Sequence, residues 1–143
     1  MRREVESTAD LRPLDIRSAG TWTPDGLPAL PEAKRVAKSM GLVGIESHRS
    51  RQLDGEMMAA SDLIVVMEAN HREALVSEFP GAAERVHLLA AIVEGKSYDI
   101  PDPLQGHASP DEVAHELDHL ISHGYLKIIR LADTLAEKRK QTT

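Results

Sequence analysis

The sequence predicts an α/β fold in which a parallel sheet of three short strands lies between layers of helices. Residues 62–67, "DLIVVM", are an almost unbroken apolar run rich in β-branched side chains. That is the pattern of a strand covered on both faces. Strand-like and helix-like segments also alternate along the chain, as they do when helical crossovers join parallel strands. With 143 residues, 41% of them hydrophobic, the chain is long enough to bury a real core. Residues 1–143 are therefore read as one domain.

The elements follow in order. Residues 2–11 read as the end of a helix closed by Pro13, and "LDIRS" (14–18) as a short strand. Residues 19–31 are rich in Gly and Pro and form a loop. Pro31 suits the first position of a helix that ends before Gly41. A second short helix spans residues 54–61, with Asp54 as its N-cap. The strand at 62–67 comes next, then a helix over 70–81 stopped by Pro80 and Gly81. "RVHLL" (85–89) is the third strand. A long helix over 108–140 closes the chain, with Ser109 as N-cap and Pro110 at its first position.

Composition excludes several classes. A net charge of −6 disfavours general nucleic-acid binding, which needs clustered Lys and Arg against phosphates. The basic end "EKRKQTT" (137–143) is short and reads as a solvated helix terminus. The absence of cysteine removes disulfides, zinc thiolates and thiol chemistry from this chain. The charged start is no signal peptide, and no apolar run approaches the ~20 residues that span a bilayer. These features lead to an expectation of a cytoplasmic protein that engages neither membrane nor nucleic acid.

"HELDH" (115–119) matches the H-E-x-x-H pattern in which two histidines bind zinc and the glutamate is a general base. The helical wheel argues against that use. The apolar stripe of this helix is Val113, Leu117, Leu120, Ile121, Ile128, Leu131 and Leu135. His115 and His119 each lie two residues from Leu117, about 200° around the helix. They point to solvent, and a catalytic zinc needs a cleft and a third protein ligand. No metal ligand or cofactor is assigned, although adventitious metal binding by His115, His119 and His123 stays open.

In "DIPDPLQG" (99–106) two prolines flank Asp102 and hold it in a stiff, extended segment. Such a carboxylate either caps or turns the chain, or is presented to a ligand. Four segments, in order, decide how to read it: "IRSAGTW" (16–22), "SHRSRQL" (47–53), "SDLIVVMEANH" (61–71) and "DIPDPLQG". Together they resemble the low-molecular-weight protein tyrosine phosphatase family over about residues 14 to 136. The resemblance implies a three-layer, Rossmann-like parallel sheet and the hydrolysis of phosphate monoesters through a phosphocysteine. It implies that Asp102 is the general acid toward the leaving oxygen and then the base toward water, a role worth about 10²–10⁴-fold. A free Asp titrates near ~3.9, so burial or nearby negative charge must favour its neutral form. By the same resemblance, Ser18 and His48 support the phosphate loop. Without it, they are a polar strand end and a polar residue flanking a helix. Trp22 either walls the substrate cleft or packs on the sheet, and Arg51 is read as one half of a structural ion pair. The substrate is a phosphorylated protein or a small phosphate monoester.

The chain also departs from the family. The nucleophilic loop, Cys-x5-Arg-Ser, has no counterpart, so the chain is expected to be inactive as it stands. Leu104 and Gln105 replace the aromatic pair after Asp-Pro; Leu104 still offers apolar contact, but the preference for phosphotyrosine is weakened. The resemblance further implies an absent first strand in the middle of the sheet, with most of the first helix. Losing about five buried side chains removes on the order of 10 kcal/mol, comparable to the ~5–15 kcal/mol margin of a whole domain. An incomplete reading frame, a truncation or a pseudoenzyme used as a binding module would each account for this.

Overall fold

The structure is a computed structural model and describes residues 14–20, 24–101 and 109–142. Helix α1 spans Pro31–Ser39, with Pro31 at its start as expected. Gly41 follows at φ 70°, a left-handed conformation that glycine adopts freely. A 3-10 turn at Ile45–Ser47 leads to α2, Gly55–Ala60. The Asp54 carboxylate caps α2 by accepting the Met57 amide at 2.8 Å. Strand β1 (Ile64–Val66), helix α3 (Ala69–Glu78), a 3-10 turn (Pro80–Arg85) and strand β2 (Val86–Leu88) then make one β-α-β unit. The strands are parallel, with Ile64 opposite Val86, Val65 opposite His87 and Val66 opposite Leu88. Helix α4 (Leu89–Glu94) follows directly, and α5 (Pro110–Thr142) ends the chain.

Both faces of the sheet are covered. Ile64 and Val66 join a cluster with Met58, Leu75, Ala82, Val86 and Leu88. The alternate residues Leu63, Val65 and Met67 pack on the opposite cluster of Leu89, Val93, Ile100, Val113, Leu120 and Ile128. Period-two alternation thus feeds two cores, which is the three-layer arrangement of an α/β fold. The stripe on α5 faces inward as the wheel predicts: Val113, Leu120, Ile128 and Leu135 are buried.

Close approach fixes how α4 sits on α5. A Cβ at Gly124 would stand 2.9 Å from the Val93 Cβ and nearer still to both Val93 methyls. Only glycine lets the two helices meet there. At the other end of the sheet, Arg85 donates to the Met58 carbonyl at 2.7 Å and to that of Ser61. Arg139, from the last turns of α5, donates to Ala59 and Ser61 carbonyls and pairs with Asp62 at 2.9 Å. These two guanidiniums satisfy the open carbonyls that end α2. Burial, and then the charge of Arg139, lower the Arg85 pKa, while Asp62 opposes the shift.

Three expectations need correction. Residues 14–18 are not a strand: Leu14 and Ile16 are half-buried, the rest are exposed, and no ladder joins the segment to another of the described residues. The nearest pairing is a single parallel bridge between Gly20 and Gln52. Alternation alone does not make a strand; a ladder must form as well. Residues 62–67 form a strand only at their centre. Helix α4 was not anticipated, although "LLAAIVEG" carries its own signal of good helix formers ending at a glycine. The helix expected within 2–11 lies outside the described residues.

Candidate active site

In open parallel sheets, ligands are met beyond the carboxyl ends of the strands. Here β1 ends at Val66, and the segment leading to Asp102 is fastened just beyond it. The Ile100 amide donates to the Met67 carbonyl at 2.9 Å. The Asp99 carboxylate accepts the Ala69 amide at 2.8 Å. Ile100 is only 2% exposed and sits in the second core cluster. Glu68 stands at the N-cap of α3 without a capping bond of its own. Glutamate is a poor N-cap, so Asp99 supplies the missing acceptor from another segment. One apolar peg and two hydrogen bonds therefore set the stem of the "DIPDP" segment on the rim of the sheet.

The far end of that segment is fastened too. Ser109 Oγ accepts the Glu112 amide at 3.1 Å, the cap expected at the start of α5. Asp111 pairs with Arg35 of α1 at 3.1 Å. The hydrogen bond to Asp111 is the main cause of the raised Arg35 pKa. Asp102 and Leu104 lie between these stems and outside the described residues, as does Trp22.

Ser18 and His48 are described, and both are exposed. The structure brings their segments together. Gly20 donates to the Arg51 carbonyl at 2.9 Å, and Leu53 donates back to Gly20 at 2.8 Å. A second zipper runs alongside: Ser50 donates to Leu27 at 2.7 Å, Gly26 to Ser50 at 2.8 Å, and Asp25 accepts the Gln52 amide at 2.7 Å. The loop at 24–28 is thereby clamped onto residues 49–52. Arg51 contributes its carbonyl, and no ion pair involves its guanidinium among the described residues.

A shallow cleft of about 300 Å³ opens beside the same rim, lined by Ala69, Arg72, Glu73, His87, Leu88, Ala91 and Ser97. Arg72 donates to the Val86 carbonyl at 2.9 Å and that of Ala83 at 3.4 Å. Those bonds turn its guanidinium to holding β2 in place. The "HELDH" histidines lie on the exposed face of α5, as the wheel predicts. Among the described residues no three His, Cys, Asp or Glu side chains converge on a metal position.

The family model for the low molecular weight phosphotyrosine protein phosphatases matches residues 1–140. The chain belongs to this family. A protein-arginine-phosphatase of Geobacillus stearothermophilus is 31% identical over 112 residues, covering 75% of this chain and 74% of that protein. A probable low molecular weight protein-tyrosine-phosphatase, EpsP, of Ralstonia nicotianae is 32% identical over 104 residues, covering 73% and 69%. Among solved structures, the YwlE arginine phosphatase from G. stearothermophilus superposes with a TM-score of 0.67 at 28% identity, covering 98% of this chain and 84% of that one. The low molecular weight protein tyrosine phosphatase from T. tengcongensis gives the same TM-score at 32% identity, covering 80% and 75%. The family assignment replaces the zinc-protease reading of "HELDH". No helix among the described residues is long and apolar enough to cross a membrane.

The sequence singles out the "DIPDP" segment but does not show what holds its two stems. Asp99, Ile100 and the Arg35–Asp111 pair all act across long sequence separations. Only the bare presence of a second carboxylate three residues before Asp102 was visible beforehand.

Proposed function

We propose that this chain carries the acid/base half of a site that removes phosphoryl groups from proteins. The observation that carries this reading is the stem: Ile100 on Met67 and Asp99 on Ala69 hold the segment before Asp102 at the carboxyl rim of the sheet. Asp102 protonates the leaving atom as its bond to phosphorus breaks, then takes a proton from the attacking water. Trp22 and Leu104 contact the substrate side chain, and Ser18 and His48 brace the phosphate cradle. The attack on phosphorus needs a thiolate, and these 143 residues contain no cysteine. On this reading the chain as it stands does not turn over substrate.

The missing thiol also supports a second reading, a non-catalytic binding module on the same scaffold. The names of the relatives suggest two phosphoryl donors, phosphotyrosine and phosphoarginine. Leu104 and Gln105, standing where the family has an aromatic pair, weaken the case for the phenyl ring of the first. The test measures hydrolysis of p-nitrophenyl phosphate and of phosphotyrosine and phosphoarginine peptides. It compares the 143-residue chain with one that carries a Cys-x5-Arg-Ser strand-loop ahead of it. Turnover is expected only with the cysteine. In that background Asp102→Asn should lower kcat by about 10²–10⁴-fold. Turnover by the 143-residue chain, or no effect of Asp102→Asn, would overturn the reading. Binding without hydrolysis by the cysteine-bearing chain would favour the module.

A further inference from the structure

Helix α5 carries a row of three imidazoles, His115, His119 and His123, spaced four residues apart and all exposed. Residues four apart on a helix stack on one face. The His119 and His123 rings lie with centroids 4.2 Å apart and planes tilted by 40°. His123 Nδ1 lies 2.8 Å from the His119 carbonyl, and His115 Nδ1 lies 2.8 Å from the Asp111 carbonyl. A carbonyl oxygen only accepts, so in each ring Nδ1 is the protonated nitrogen. The neutral ring then presents the Nε2 lone pair outward. Histidines that bind metals are oriented in this way, with the second nitrogen donating to a carbonyl or carboxylate.

We propose that His119 and His123 chelate one borderline divalent cation of the zinc, nickel or copper class, with His115 next along the row. Imidazole nitrogen suits those ions, whereas magnesium and calcium prefer all-oxygen shells. Two protein ligands leave the remaining positions to water, so the site is exchangeable and is neither structural nor catalytic zinc. Glu112, Glu116 and Asp118 on the same turns, in a chain of net charge −6, raise the local cation concentration. The site faces away from the apolar stripe of α5 and does not depend on the phosphatase reading.

Isothermal titration of the 143-residue chain with zinc, nickel and magnesium chlorides tests this. One zinc or nickel ion per chain is expected, with no magnesium uptake. The double variant His119→Asn/His123→Asn should weaken binding at least about tenfold, while His71→Asn leaves it unchanged. His119 and His123 are exposed and His71 is half-buried, and far-UV circular dichroism checks that helicity is kept in each variant. In a parallel measurement, trace copper(II) should broaden the imidazole resonances of His119 and His123 before those of His71 and His87. Undiminished binding by the double variant, or broadening led by His71 or His87, would overturn the proposal. So would a wild-type chain that takes up no more zinc than the double variant.

Discussion

The rest of the molecule treats β1 and residues 14–18 in opposite ways. β1 has a parallel neighbour, a helix returning over it and a packed cluster on each face. Among the described residues, 14–18 join no ladder and neither core cluster, and Arg17 pairs with Asp15 at 3.0 Å. The difference teaches that a strand in this fold is made by its surroundings. Pleated alternation is necessary, but a ladder and two covered faces are what fix it. Residues 99 and 100 sit on the β1 side of this divide, bonded to Ala69 and Met67 just past the end of β1.

Substitutions can break that comparison. The largest effect is expected in the second cluster, where Leu120 is 1% exposed and Ile100 2%. Leu120→Ala or Ile100→Ala should lower unfolding free energy by about 2–5 kcal/mol in chemical denaturation. Ile16→Ala should cost less than about 1 kcal/mol, since its side chain is only half-covered. Similar losses at Ile16 and Ile100 would erase the distinction. Gly124→Ala comes next. Alanine favours helix by about 1 kcal/mol over glycine, yet the clash with Val93 should make the variant less stable by about 1–3 kcal/mol. A more stable variant would mean that α4 and α5 do not meet as described.

Asp99→Ala removes the borrowed cap of α3 and should cost about 1 kcal/mol. Asp99→Asn keeps an accepting oxygen and should cost less. If Asp102 acts as proposed, the alanine variant of a cysteine-bearing chain should also lower kcat, because residues 99–101 lose the bond to Ala69. The smallest effect concerns Tyr98, whose hydroxyl donates to Glu94 at 3.1 Å. Burial first, then the bond to Glu94, raises its pKa above the ordinary phenol value. The folded state therefore holds this proton more tightly than the unfolded chain. Its contribution is fully present below about pH 10, the unfolded value, and is lost as pH rises through the folded one. Tyr98→Phe should flatten the alkaline end of the stability profile.

The same contrast explains what the sequence disclosed. The β1 run, the caps at Asp54 and Ser109, Pro31 and Pro110 at helix starts and the stripe on α5 are local signals, and local physics reads them. The order of four motifs was enough to indicate the family. What stayed hidden depends on distant partners: Asp99 capping a helix begun by Glu68, Arg85 and Arg139 converging on the end of α2, Gly124 admitting Val93. Residues 14–18 misled for the converse reason, since their pattern was right but no ladder joins them to another of the described residues.

Amide hydrogen exchange at Ile100 and Ala69 tests the central claim most directly. If the stem at residues 99–101 is tethered to the rim of the sheet, both amides exchange slowly, with protection approaching that of β1, and Asp99→Ala speeds Ala69 more than Ile100. Exchange of both at the rate of an open loop, while β1 stays protected, would contradict the account.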